Sequence, residues 1–61
     1  MKLDSLHMRR FWNDLGLTTK QHHSWTGQTF GQFCQANPDW TMGRWRELVR
    51  ENIGIIKGEA E

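Results

Sequence analysis

Seven large aromatic side chains stand in a chain of 61 residues that has a single cysteine, Cys34. A domain of this length buries only about 60% of the surface that its unfolded chain exposes, so its margin of stability is small. Such domains usually depend on a disulfide, a metal, a partner or very large core side chains. One cysteine cannot form an internal disulfide, whereas each aromatic side chain can bury roughly 150–250 Å². The sequence therefore predicts one domain with an aromatic core, drawn from Phe11, Trp12, Trp25, Phe30, Phe33, Trp40 and Trp45.

The most regular pattern runs from about Ser5 to Leu15. Apolar residues recur there at i, i+3, i+4 and i+7, which places them on one side of an α-helix: Met8, Phe11, Trp12 and Leu15. Asp4 or Ser5 can cap the N-terminus by accepting a backbone N–H. Gly16 follows the last apolar residue, at a position where a left-handed C-cap costs glycine little. We therefore expect the first helix here.

The middle of the chain predicts a short second helix that starts near Thr26 or Thr29. With Thr26 as the cap, Trp25 and Phe30 have the spacing of a hydrophobic staple; with Thr29 as the cap, Gln32 completes a capping box. In either case the helix ends before the only proline of the chain, because the residue before proline avoids helical angles.

Residues 18–25 connect the first two helices. Thr18 and Gln21 have capping-box spacing, but no apolar residue follows until Trp25. We therefore expect a loop, with at most one extra short helical turn near residues 19–24. His22 and His23 are then exposed loop residues.

A third helix is expected to begin after Thr41, which is a good N-cap and is flanked by Trp40 and Trp45 at staple spacing. Its apolar stripe consists of Met42, Trp45, Val49 and Ile53. Gly54 is the expected C-cap, after which Ile55 folds back onto the last turn. Residues 57–61 are then a frayed end.

These segments predict an all-α fold: a small three-helix domain that resembles a helix-turn-helix in its general layout. The domain spans residues 1–58, and residues 59–61 form a short acidic tail. Alternation with a period of two is absent outside short runs, so no sheet is expected.

The charges favour nucleic acid as a partner. The net charge is +1, but two of the seven acidic residues stand in the last three positions, so the rest of the chain is mildly basic. In a helix-turn-helix, arginines of the last helix reach guanine edges or phosphates. The expected contacts are Arg44, Arg46 and Arg50 of the third helix, with Arg9, Arg10 and Lys20 on phosphates. The alternative is that Glu47 and Glu51 form ion pairs with these arginines on a solvated helix face.

A protein-binding module is the other function that the sequence permits: an adaptor, modulator or inhibitor on a larger partner. Trp25 and Trp40 are expected beside the helix caps, where they act as staples or, if exposed, as anchors of an interface. Ile55 and Ile56 are apolar residues left outside the stripes, and they could complete that interface or pair two copies in a homodimer.

Catalysis, metals and cofactors are not expected. The soft ligands are His7, His22, His23 and Cys34, and they lack the spacing of a zinc site. The apolar neighbours of Cys34 indicate burial, which makes a thiol inert. Gly27 and Gly31 do not form a phosphate-binding loop. A helical domain this small also has little room for a small-molecule substrate.

Membrane contact is not expected either. No stretch of the sequence is long and apolar enough to span a bilayer. The first five residues lack the apolar core of a signal peptide. Because a lone thiol is easier to keep in a reducing compartment, we expect a cytoplasmic protein.

Overall fold

Helices make up nearly all the regular structure in the computed structural model, which describes the backbone of residues 1–59 and the side chains of residues 1–58. Within that range there are five helices: α1 (Ser5–Asp14), α2 (Thr19–Thr26), α3 (Phe30–Ala36), α4 (Met42–Glu51) and α5 (Ile53–Glu59). The prediction of a small all-α domain is confirmed, although its three helices become five. Among the described helices, none combines the length and apolarity needed to cross a membrane.

α1 forms as the pattern predicts. The side chain of Asp4 caps it by accepting a hydrogen bond from the backbone N–H of Leu6 at 2.9 Å. Gly16 then adopts a positive φ of 78°, where side chains with a Cβ are strained. This reversal brings Leu17 back onto the helix, where its N–H donates to the carbonyl of Trp12 and its side chain is buried.

α2 replaces the loop that the sequence predicts between the first two patterned segments. Thr18 and Gln21 form the capping box that their spacing indicates, with Gln21 Oε1 accepting the Thr18 N–H at 2.7 Å. Eight residues follow in helical conformation, more than the single turn expected near residues 19–24. The apolar pattern misses this helix because its one fully buried side chain is a histidine, His22.

Thr29 is the N-cap of α3, so the start at Thr26 is wrong. Thr29 and Gln32 form a reciprocal capping box. Thr26 instead closes α2, where its hydroxyl donates to the carbonyl of His22 at 3.0 Å. Trp25 therefore lies within α2 and is not the staple of the next helix. Gly27, with a φ of 76°, turns the chain between the two helices.

The end of the chain departs most from the sequence expectation. α4 ends at Glu51, and the side-chain amide of Asn52 donates a hydrogen bond to the carbonyl of Leu48 at 2.8 Å. A separate helix, α5, then begins at Ile53, so Gly54 is inside a helix and is not a C-cap. Residues 57–59 are helical and not frayed, and the rest of the predicted acidic tail, residues 60–61, lies outside the described part.

Packing explains why α5 forms despite its glycines. α5 lies against α2 and α4, while α1 packs on α3. Ile56 of α5 has none of its surface exposed. Burying a side chain of this size contributes about 1.5–3 kcal/mol, which offsets the roughly 2 kcal/mol that Gly54 and Gly58 together cost in a helix. Tertiary contact thus overrides local helix propensity here.

The core is aromatic, as predicted. Trp12, Phe30, Phe33 and Trp45 are buried, while Phe11, Trp25 and Trp40 are partly buried against them. The apolar residues that complete the core are Met8, Leu17, Met42, Val49 and Ile56. The N-terminal segment closes one side, because Met42 N–H donates to the Met1 carbonyl at 2.8 Å and Leu3 N–H donates to the Trp40 carbonyl at 3.3 Å.

Candidate functional site

The predicted nucleic-acid contacts all lie on helices: Arg9 and Arg10 on α1, Lys20 on α2, and Arg44, Arg46 and Arg50 on α4. Arg46 is half-buried and the others are exposed. Among the described side chains, the one ion pair joins His7 Nδ1 to Asp4 Oδ2 at 3.0 Å. The ion pairs that the alternation of arginine and glutamate predicts along α4 are thus not formed. The guanidinium groups are open to an external anion.

Three of these cations belong to one edge of the fold, which we call the α1–α4 edge: Arg10, Arg46 and Arg50. The Arg50 guanidinium lies 5.6 Å from the centre of the Phe11 ring, so it reaches from α4 onto α1. Phe11 in turn packs edge-on against Trp45, with ring centres 5.6 Å apart. Arg46 precedes Arg50 by one turn, about 40° away around an ideal helix. Arg10 is exposed and lies about 100° from Phe11 around an ideal helix, so it extends this edge towards solvent.

Arg44 is separated from this edge. It lies about 120° around α4 from Arg50 on an ideal helix. Its guanidinium stacks over the Trp40 ring, 4.4 Å from the ring centre. Together these two residues line a cleft of about 260 Å³ with Glu47, Leu48 and Glu51, which we call the Trp40 groove. Arg44 therefore shares its surroundings with two carboxylates.

The remaining two predicted contacts stand apart as well. Arg9 lies on the side of α1 opposite Phe11, about 160° away around an ideal helix. Lys20 is exposed in the first turn of α2. The fold thus brings Arg46 and Arg50 together at this edge, with Arg10 at its solvent side. Arg9 and Lys20 lie on other surfaces and provide matched controls for experiments.

The tryptophans predicted at an interface, Trp25 and Trp40, are both partly buried in the fold. Trp25 is half-buried and stacks on Trp12, with ring centres 6.1 Å apart and planes at 18°. Trp40 is also half-buried; its ring packs edge-on against Phe33 at 5.5 Å and not as a staple on Trp45. Both rings thus pack against other rings of the fold and are only partly exposed.

Ile55 and Ile56 cannot form one apolar interface patch. Ile55 is 55% exposed, whereas Ile56 is fully buried between the helices. Helical geometry requires this outcome, because adjacent residues point about 100° apart around the axis. The prediction of Ile56 as an interface residue is therefore wrong, and a homodimer through both isoleucines is inconsistent with this fold.

His22 is the residue whose place the sequence analysis missed. It was expected in an exposed loop, but none of its surface is accessible. Its Nδ1 lies 3.0 Å from the carbonyl oxygen of Gln28. Burial lowers the pKa of this imidazole, and the hydrogen bond to Gln28 partly opposes that shift. Its position three residues before Trp25, on the same side of a helix, is the one sequence signal that could have pointed to it.

The thiol and the remaining histidines form no catalytic or metal-binding cluster in the described residues. The Cys34 Sγ–H donates to Met8 Sδ at 3.2 Å, and partial burial raises the pKa of the thiol. A raised pKa keeps the thiol protonated and unreactive near neutral pH. The described side chains, those of residues 1–58, contain no group of three His, Cys, Asp or Glu that could hold a metal ion.

A scan of protein-family models and searches of curated proteins and solved structures find no match for this chain. The side chains described above are therefore the basis for assigning a function.

Proposed function

We propose that this chain is a non-enzymatic nucleic-acid-binding domain, a small regulator or accessory factor, that places its α1–α4 edge against a duplex. The supporting observation is that Arg10, Arg46 and Arg50 have no carboxylate partner among the described residues. Cations of this kind gain free energy from phosphates by releasing the counterions condensed on the duplex.

The edge suits a duplex better than the outward face of α4 does. Glu47 lies about 160° and Glu51 about 120° from Trp45 around an ideal helix, so both point away from the core. Placed against a phosphate backbone, these two carboxylates would be repelled. Tilting α4 towards its Arg46 and Arg50 side avoids that repulsion. It also brings the first helix to the backbone, as in a helix-turn-helix.

The test compares two double variants that change the net charge equally. Arg10→Gln/Arg46→Gln alters the α1–α4 edge, whereas Arg9→Gln/Lys20→Gln alters other surfaces. Binding of a labelled DNA duplex is followed by fluorescence anisotropy over a range of salt concentrations. We expect the edge variant to lower the salt slope of log K by about 2. Its affinity at low salt should fall on the order of tenfold or more, because two phosphate contacts are lost.

The control variant should change the affinity far less than the edge variant does. Equal losses in the two variants would mean that only overall charge matters and would contradict a defined edge. An affinity of the parent protein that does not vary with salt would reject duplex binding altogether.

A second candidate function is docking of a protein partner, and the Trp40 groove is the observation that favours it. Tryptophan and arginine are the residues most enriched in interface hot spots. Trp40 and Leu48 give the groove an apolar floor, and Glu47 and Glu51 have no cationic partner within the described residues. We infer that its occupant is a helical partner segment that pairs an apolar side chain with a lysine or arginine.

An amphipathic peptide of leucine and lysine is a suitable probe for this groove, followed by the amide shifts of the labelled protein. Leu48→Ser should abolish the shifts at Trp40 and Arg44, whereas Leu6→Ser, at an apolar residue 60% exposed on α1, should leave them unchanged. Shifts spread over both surfaces would argue against a built groove. Concentration-dependent shifts without peptide would identify a second copy of this chain as the occupant.

A further inference from the structure

His22 occupies the centre of the aromatic core. Five rings surround it, with centres 4.3 to 6.2 Å from its own: Phe30, Trp12, Phe33, Trp25 and Trp45. They come from all of the first four helices. Its helix, α2, is also the one on which α5 packs. A change in the charge or size of the His22 side chain therefore affects the packing of every described helix.

The hydrogen bond of the His22 ring to Gln28 fixes the tautomer of the neutral imidazole. The Gln28 carbonyl oxygen, 3.0 Å from Nδ1, can only accept, so Nδ1 carries the proton of the neutral ring. Nε2 is buried without a hydrogen-bond partner among the described residues, and the same holds for the Trp45 indole N–H. A second proton on Nε2 would thus place a buried charge and a donor where neighbouring polar groups provide no acceptor.

The surrounding groups do not compensate this charge. The rings from α1, α3 and α4 are not titratable, and α5 contributes apolar Ile56 to the core and exposed Lys57 to the surface. The titratable group whose charge acts on His22 is His23, which disfavours a second cation. The ring faces attract a cation, but they accept no conventional hydrogen bond from it. Burial is the largest influence on the pKa of His22, and its direction is downwards.

We propose that His22 is a pH-sensitive switch for folding: its protonation opens α2, and with it α5, from the rest of the core. The unfolded chain binds this proton near the ordinary histidine pKa of 6.5, and the folded domain binds it only at lower pH. The stabilisation by neutral His22 is therefore complete above about pH 6.5 and is lost as the pH falls below it. Opening exposes Ile56 and the inner face of Trp25.

Urea unfolding followed by circular dichroism from about pH 7.5 to about pH 5 tests this switch. The unfolding constant of the parent protein should rise with acidity, by up to about tenfold per pH unit for one proton. His22→Gln keeps a donor for the Gln28 carbonyl but cannot be charged, so the dependence should disappear. His23→Gln is the control and should retain it, as should His7→Gln, which removes the exposed histidine paired with Asp4.

A second measurement applies even if His22→Gln does not fold. The chemical shifts of the His22 ring protons in the parent protein, followed by NMR, should stay constant until the pH falls to the value at which the domain begins to unfold. Titration of His22 while the domain stays folded would overturn the proposal, as would a pH dependence that survives in a folded His22→Gln variant.

Discussion

Replacement of Trp12 by alanine should remove a large part of the stability of the domain. Trp12 has no exposed surface, and its indole N–H donates to the carbonyl of Thr18. Its ring contacts those of His22, Trp25, Phe30 and Trp45. Truncating a buried tryptophan costs about 3–5 kcal/mol. A domain of this length has a total stability of about 3–9 kcal/mol, so this one change removes from roughly a third to all of it.

Circular dichroism during thermal unfolding measures this effect, and two variants control for it. Trp25→Ala removes the ring that stacks on Trp12 but is only half-buried, so it should keep a cooperative transition at a lower midpoint. Trp12→Phe keeps a ring in the core and should lose less stability than Trp12→Ala does. If Trp12→Ala and Trp25→Ala melted alike, Trp12 would not be the centre of the core.

Ile56→Ala should destabilise the domain by about 2–5 kcal/mol, the usual cost of truncating a buried isoleucine. Its neighbour Ile55 is 55% exposed, so Ile55→Ala should change the free energy of unfolding by no more than about 0.5 kcal/mol. The two variants remove the same atoms from adjacent positions. Their difference in urea unfolding therefore measures how tightly α5 is held.

Equal and small effects of the two isoleucine variants would mean that α5 does not pack on α2 and α4 in solution. Equal and large effects would mean that Ile55 is covered as well, for example by a second copy of the chain. Sedimentation at two protein concentrations separates this last case from a monomer whose helix is buried on both sides.

The helices with regular apolar stripes could be predicted from the sequence. Met8 and Trp12 in α1, and Met42, Trp45 and Val49 in α4, have helical spacing and are all buried. α2 could not be predicted in the same way, because its buried residue is His22 and histidine does not count as apolar. α5 was missed because Gly54 resembles a C-cap, and only the burial of Ile56 makes the segment continue as a helix.

The candidate site was predictable in its residue types but not in their arrangement. Spacing along α4 placed Arg46 and Arg50 on one flank, and they lie there. It did not reveal that Arg50 reaches Phe11 or that Arg44 stacks on Trp40. Both contacts depend on rings from other segments, and their positions follow from the tertiary fold. The spacing of Glu47 and Arg50 also suggested an ion pair that the side chains do not make.

The pairing of α2 with α5 has a consequence for how the protein is made. During synthesis α2 leaves the ribosome well before α5, the helix on which it packs. The first residues likewise find their backbone partners only at Trp40 and Met42. A nascent chain that stops short of α5 thus leaves apolar surface uncovered, and such surface is prone to aggregate. The domain can therefore close only after α5 has left the ribosome.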